Sequence, residues 1–307
     1  MIGIIENEPQ SRQSQDHTMI CTLEHSFIQP IVHVFYIQSR MKLLPTYDDY
    51  EIISVCGQGV YGKVNKALHR KNGEMVALKM LKGDLKNDQG IQVVYYREFR
   101  ILQKLNHVNI VKLIDIFADS REDDKQKPFD IYFAFEYLDH DLTGLLQSNF
   151  KFTLPIIKSF VKQMLGGLEY LHSINIIHRD IKSANMLVSK KGFVKIADFG
   201  LAKNINKSDY KSRQLTTNVV TRWYKAPELL MGLDYNFAVD VFGIGIICGE
   251  LYKRKPLLPG LNDQDQLQKI FDFVGDPQSI KWKPQTLFSF LPGKTPIGIE
   301  KFKEEFK

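Results

Sequence analysis

Between residues 178 and 200 two strings together hold the groups needed for phosphoryl transfer. His178-Arg179-Asp180-Ile181-Lys182-Ser183-Ala184-Asn185 sets a carboxylate two residues before a cation, and Asp198-Phe199-Gly200 begins eighteen residues after Asp180. Asp180 can receive the proton of an attacking hydroxyl and Lys182 can neutralise a transferring phosphoryl, while Asn185 and Asp198 offer the hard oxygen ligands that Mg²⁺ prefers. Upstream, Gly57-Gln58-Gly59-Val60-Tyr61-Gly62-Lys63-Val64 forms a GxGxxGxV loop. Its glycines let backbone N–H groups approach phosphate oxygens with no Cβ in the way. Lys79 follows in VALK, and Glu98 lies on an apolar helical stripe where an unpaired carboxylate would bear a large desolvation cost, so each supplies the partner the other needs. Ala226-Pro227-Glu228 closes the set. Any one of these strings occurs by chance; five in this order and spacing do not.

The elements that must position these groups are legible in the hydrophobic pattern. YEIISV and KVNKAL alternate on either side of the glycines, KNG makes a turn, and MVALKML reads as a strand, so three antiparallel strands are predicted in succession. A strand after the glycines argues against a dinucleotide-binding fingerprint, which runs directly into a helix. QVVYYREFRILQKL is predicted helical, with Val94, Glu98, Ile101, Leu102 and Leu105 on one face. NIVKLIDIF and FDIYFAFEYL are expected as two further strands, with the charged DSREDDKQK as a solvated hairpin tip. After Leu138 the pattern turns helical: PIIKSFVKQMLGGLEYLHSI has a wide apolar face, and AVDVFGIGIICGELY is apolar nearly all round, as a helix at the centre of a domain would be. The fold class is α+β, a small β-rich half followed by a mainly helical half.

Composition excludes the alternatives. With 44% apolar and 25% charged residues in 307, the chain has the balance of a globular protein, and collagen-like, coiled-coil and wholly disordered readings fall away. A net charge of +6 is too small to imply nucleic acid as a direct partner. Cys21, Cys56 and Cys248 are the only cysteines, an odd number with no CxxC pair, which argues against a disulfide framework or a zinc site and for a reducing compartment. Cys56 and Cys248 sit among apolar neighbours and read as buried small hydrophobes. No apolar run is long enough to span a membrane, and the N-terminus lacks the pattern of a secretory signal. Residues 1–45 read as an extension, disordered and outside the main domain.

From Tyr50 to the C-terminus the sequence resembles the eukaryotic protein kinases, carried by GQGVYGKV, VALK, HRDIKSAN, DFG and APE. The resemblance implies a bilobal fold: residues 46–137 as an N-lobe with a five-stranded antiparallel sheet and one main helix, and 138–307 as a mainly α-helical C-lobe, with ATP in the cleft. It implies that Lys79 holds the α- and β-phosphates and pairs with Glu98, and that Asp180 orients the substrate hydroxyl and accepts its proton. Lys182 would neutralise the γ-phosphoryl, and Asn185 and Asp198 would bind Mg²⁺. Gly57, Gln58, Gly59, Val60, Tyr61 and Gly62 would cover the nucleotide, and Glu136 and Leu138 match the backbone that meets adenine, with Phe135 as gatekeeper. Cys56, Val64, Ala77 and Leu187 would enclose the ring, and Asp141 completes the ATP set. Leu102, Leu113, His178 and Phe199 would stack as a spine anchored by Asp240.

Within that family YYREFRIL, FEYLDHDLTGLL, HRDIKSANMLV and DFGLAK look most like the transcriptional branch of the cyclin-dependent kinases. The resemblance implies a cyclin-like regulatory subunit, protein substrates with Ser-Pro or Thr-Pro sites such as the RNA polymerase II repeats, and a nuclear address with the cytoplasm as a second. Thr216 stands at the activating phosphothreonine position, to be phosphorylated by another kinase, with Thr217 beside it. A phosphate there would gather Arg97, Arg179 and Lys203. Val219, Val220 and Thr221 match the segment that reads a proline, Thr221 also counting with the catalytic set, and Tyr61 occupies an inhibitory tyrosine position. The chain departs from the pattern in several places. QGIQVVYYRE replaces a proline-containing PSTAIRE-type helix, Lys225 and Lys203 stand where arginine is usual, and Phe242 replaces a tryptophan. The C-lobe is expected to be truncated at its end, with no arginine in reach of Glu228. Other proline-directed relatives, of cell-cycle or kinase-activating type, and a catalytically weak kinase-like binding protein are the competing readings.

Overall fold

The computed structural model describes residues 45–59, 62–81, 93–119, 130–205 and 222–275. Two compact units divide the chain: one takes the residues up to Phe99 together with Leu113–Tyr137, the other Arg100–Lys112 and everything from Leu138 onward.

The first unit is built on β1 (Tyr50–Gly59), β2 (Gly62–His69), β3 (Met75–Leu81), β4 (Leu113–Asp119) and β5 (Asp130–Glu136), with α1 (Val93–Leu102) between β3 and β4. All pairings are antiparallel, in the order β1-β2-β3-β5-β4. Strand alternation sorts the side chains. Ala67, Val76, Leu78, Tyr132 and Ala134 enter a core with Tyr50 and Phe117, where Tyr50, Phe117 and Tyr132 stack at 5.2 Å between successive rings. The Tyr50 hydroxyl donates to Asp115 Oδ2 at 3.0 Å, and burial beside that carboxylate pushes the phenol far above its ordinary pKa. The register places Val64 beside Lys79 and Ala77 beside Phe135, all on the opposite face. Gly62 has φ 135°, and a Cβ there would fall 1.9 Å from the Met80 carbonyl oxygen, so the first residue of β2 admits only glycine.

Three expectations are corrected by the structure. Cys56 is exposed and not buried, because the β1–β2 register skips from Val55 to Gly57 and leaves Cys56 as the extra residue of a bulge; Cys248 of the second unit is half-buried. The strand expected from Asn109 begins only at Leu113. The Asn109 carbonyl accepts from the Ile196 N–H and the Val111 N–H donates to the Ile196 carbonyl, both at 2.9 Å, so this stretch pairs within the second unit instead. Finally, α1 stops at Leu102, where Lys104 and Leu105 bond back to Ile101 and Leu102 in tighter turns. The N-terminal extension, the DSREDDKQK tip beyond Asp119 and the C-terminal end lie outside the described residues.

In the second unit β6 (His140–Asp141) leads into α2 (Leu142–Gln147) and α3 (Leu154–Ser173). Then come β7 (Ile176–Ile177), a 3-10 turn at Ser183–Asn185, β8 (Met186–Val188), β9 (Val194–Ile196) and β10 (Lys203–Asn204). After a 3-10 turn at Arg222–Tyr224 come α4 (Pro227–Leu230), α5 (Ala238–Lys253) and α6 (Asp263–Val274). The expected apolar face of α3 is buried at Ile157, Phe160, Met164, Leu168 and Leu171. α5, which packs along α3, buries residues on nearly every side, Asp240 and Glu250 among them. No helix among the described residues is long and apolar enough to cross a membrane. Gly167 lets α3 close on the backbone of residues 109–111: an added Cβ would lie 3.0 Å from the Asn109 carbonyl oxygen and 2.9 Å from Ile196 Cδ1. Gly167→Ala is therefore expected to destabilise the protein by about 1–3 kcal/mol, read from the denaturant midpoint. An unchanged midpoint would show that α3 can back away at no cost.

Candidate active site

Lys79 lies mid-strand in β3, and its Nζ sits 2.8 Å from Glu98 Oε1 on α1. Glu98 is 3% exposed and the lysine side chain 12%, so the carboxylate needed on the apolar stripe has found its cation. Val64, Ala77 and Phe135 occupy the same sheet face as Lys79, while Glu136 ends β5. At the glycine loop, Gly57, Gln58 and Gly59 pair with Val64, Lys63 and Gly62 across β1 and β2; Val60 and Tyr61 lie outside the described residues. A Cβ at Gly57 would meet nothing within 4 Å among the described residues, so the space over this backbone is open.

The second unit gathers the other half of the predicted set. β7 delivers the chain to His178, and Arg179 adopts φ 67°. This left-handed residue turns the His178 and Arg179 N–H groups to one side, making a small anion nest. Asp240, in the first turn of α5, fills it: Oδ2 accepts from His178 N at 2.9 Å and Oδ1 from Arg179 N at 2.8 Å. His172 Nε2, 2.9 Å from Oδ2, donates a third bond, since a carboxylate can only accept. The His178 ring uses both nitrogens: Nε2 donates to the Ala197 carbonyl at 3.0 Å, and Nδ1 accepts from the Asp180 N–H at 3.3 Å. It also meets Phe199 edge-on, with centroids 5.0 Å apart.

Asp180, 8% exposed, follows this anchor. Its Oδ2 accepts from Lys182 Nζ at 2.6 Å and from Asn185 Nδ2 at 3.0 Å, and the same amide reaches the Asp180 carbonyl at 2.8 Å. Oδ1 accepts from none of the described residues and is available to a hydroxyl. The Asn185 carbonyl takes the Ala197 N–H at 2.9 Å, which sets Asp198 beside the turn that carries Asn185; Asp198 itself has φ 63°, a strained conformation of the kind concentrated at functional sites. With its amide nitrogen committed to Asp180, Asn185 keeps its side-chain oxygen for a ligand. A carboxylate and an amide oxygen fit Mg²⁺, which is held by one or two protein oxygens with phosphate and water completing the shell. No cluster of three or more His, Cys, Asp or Glu fit for a metal occurs among the described residues.

The remaining predicted positions are scattered. Asp141 caps α2, accepting from the Gly144 N–H at 2.9 Å, and pairs with Leu187 of β8; Leu138 is half-buried just before β6. Arg179 sends Nε to the Leu201 carbonyl at 2.7 Å and Nη1 to the Tyr235 hydroxyl at 3.3 Å, and Lys203 of β10 pairs with Ile177, next to His178. Thr216 and Thr221 lie outside the described residues, as does the Arg97 side chain. Burial raises the Glu228 carboxyl above its ordinary pKa, and no cation bonds it among the described residues. Sequence reasoning missed Glu250, 5% exposed on α5, whose carboxylate accepts from Ser183 and Tyr224. A carboxylate near the end of a mostly apolar helix was the signal that could have found it.

Comparison with known proteins agrees with this geometry. The family described as "Protein kinase domain" matches residues 50–290, more than half of the chain. Cyclin-dependent kinase C-1 of Arabidopsis thaliana is 42% identical over 245 residues, 76% of this chain and 48% of that protein. Cyclin-dependent kinase C-1 of Oryza sativa subsp. japonica is 42% identical over 273 residues, 85% of this chain and 52% of that protein. The chain thus spans about half the length of these relatives.

Lys79→Met removes the cation beside the buried Glu98 carboxylate and is expected to cost about 3–5 kcal/mol, whereas Lys79→Met with Glu98→Gln should regain much of it. Equal losses in chemical denaturation would show that the buried charge is not the cause. Because its pKa is raised in the folded state, Glu228 weakens folding as pH climbs through and above the carboxylate range. Glu228→Gln should therefore raise the melting temperature at neutral pH, and the gain should vanish in acid.

Proposed function

The chain belongs to the protein kinase family, and we propose that it is a Mg-ATP-dependent serine/threonine kinase of the cyclin-dependent type. The observation that carries this reading is Asp180: one carboxylate oxygen is held by Lys182 and Asn185, leaving the other for a substrate hydroxyl. In the proposed reaction that oxygen orients the serine or threonine hydroxyl and takes its proton as the new O–P bond forms. The bond from the γ-phosphorus to the β,γ-bridging oxygen breaks, and ADP leaves with the electron pair. Lys182, already within reach of Asp180, screens the charge spread over the transferring group. Lys79, oriented by Glu98, holds the α- and β-phosphates, and Gly57 admits the nucleotide close to the backbone. Mg²⁺, held by Asn185 and Asp198, would neutralise the phosphates.

Several features of the chain and its relatives support the finer reading. Relatives named cyclin-dependent kinase cover most of the chain, which favours a cyclin-type regulatory subunit. Proline after the phosphoacceptor is favoured by Val219, Val220 and Thr221, and Thr216 is the proposed site of an activating phosphorylation, with Arg97, Arg179 and Lys203 as its cationic partners. Tyr61 is proposed as an inhibitory phosphorylation site in the glycine loop. RNA polymerase II repeats are the proposed substrate and the nucleus the proposed address, by resemblance to the transcriptional branch.

The test is transfer of the ATP γ-phosphoryl to a Ser-Pro peptide, with and without candidate cyclins. A cyclin should stimulate the wild type, and Asp180→Asn should lose about a hundredfold to ten-thousandfold in kcat, the contribution of a positioned general base. A wild type no faster than Asp180→Asn under every condition would overturn the reading.

A further inference from the structure

Glu250 is a buried carboxylate that the reaction above leaves without a task. It lies about 15 Å along α5 from Asp240, ten residues at the helical rise, and it too holds the loop that carries the catalytic groups. Ser183 donates its hydroxyl proton to Glu250 Oε2, and Tyr224 donates to both carboxylate oxygens, at 2.9 and 2.8 Å. The two donors come from opposite ends of the chemistry. Ser183 opens the 3-10 turn Ser183–Asn185, directly after Lys182, and Asn185 at the end of that turn holds Asp180. Tyr224 closes the turn Arg222–Tyr224, whose other two residues are also pinned: Arg222 Nε to Asp263 Oδ1 at 2.8 Å, and Trp223 Nε1 to the Gly260 carbonyl at 3.0 Å. That turn follows directly on Thr221, in the segment read above as the proline-reading side of the substrate site.

Resting on the kinase reading, we propose that Glu250 is a positioning residue for phosphoryl transfer, joining the Lys182–Asn185 turn to the Arg222–Tyr224 turn through the hydroxyls of Ser183 and Tyr224. Asp240 fixes the entry of the catalytic loop by its backbone; Glu250 fixes its exit by a side chain. Because the carboxylate is shared, displacing the substrate-side turn alters the hold on Ser183, and the Asp180–Asn185 contact shifts with it. A hydroxyl at position 183 completes this arrangement, since alanine or glycine there would leave Glu250 without its link to the Lys182–Asn185 turn. Hydrogen bonds to a charged group are among the stronger ones and are costly to leave unmade in the interior.

The test compares Ser183→Ala, Tyr224→Phe and their double variant in the full chain with a stimulating cyclin, using kcat and KM for ATP and for a Ser-Pro peptide. Each single change should lower kcat about tenfold while leaving KM for ATP within about twofold. Melting temperatures should fall by several degrees while unfolding stays cooperative, so that kcat is read on folded protein. The double variant should fall short of the product of the two single effects, because both hydroxyls act through one carboxylate, and Ser183→Thr should restore the rate. Unchanged kcat in either single variant, effects that multiply, or a rise in KM with kcat intact would overturn the proposal. A wild type no faster than Asp180→Asn would instead overturn the kinase reading on which it rests, so the two failures are distinct.

Discussion

A carboxylate placed in the first turn of an almost wholly apolar helix must be matched by donors or it opposes folding. Asp240 is matched by three: the backbone N–H groups of His178 and Arg179 and the imidazole of His172. This one interaction fixes the second unit's chemistry. It tolerates Arg179 in the left-handed region and aims the His178 ring at Ala197, and it delivers Asp180 to the place where Lys182 and Asn185 can hold it. Without the nest, the backbone N–H groups at the start of the loop between β7 and the turn at Ser183 would lose the carboxylate that holds them. Asp198, reached through the backbone bond between Asn185 and Ala197, depends on the same placement.

The first unit obeys a parallel rule with a different partner. Glu98 is buried on α1 with Lys79 within 2.8 Å of it, and the carboxylate in turn meets the ammonium that β3 brings to this face. Buried pairs of this kind add little net stability and instead impose a geometry, since breaking either side is costly. Strand alternation then does the rest, setting Val64, Ala77 and Phe135 on the Lys79 face and the Tyr50–Phe117–Tyr132 stack on the other.

Much of this was legible in the sequence for physical reasons. The chemistry-bearing residues cluster in short strings because Asp180, Lys182 and Asn185 sit on one loop; β2, β3 and α3 announce themselves by clean periodicity, and α5 by a run that is apolar nearly all round. The failures are equally physical. The strand expected from Asn109 reads as one in local pattern, yet its backbone groups are claimed by Ile196, a contact 86 residues away that no local pattern encodes. Cys56 has apolar neighbours in sequence, but a bulge turns it outward, and bulges follow from register and not from composition. Asp240 was recognised through family likeness, whereas Glu250 passed unnoticed because its value depends on two hydroxyls, at Ser183 and Tyr224, brought to it only by the fold.

The α5 carboxylate at Asp240 sets the placement of Asp180 through the backbone of His178 and Arg179. The most direct test is Asp240→Asn, assayed for transfer of a radiolabelled γ-phosphoryl to a Ser-Pro peptide, in protein that still melts cooperatively. An amide oxygen can serve one N–H of the nest while its own NH₂ faces the other, so the loop should lose its anchor. The expected result is a kcat that falls toward the level of Asp180→Asn while KM for ATP stays within about twofold. Wild-type kcat in Asp240→Asn would show that Asp240 does not set the placement of Asp180.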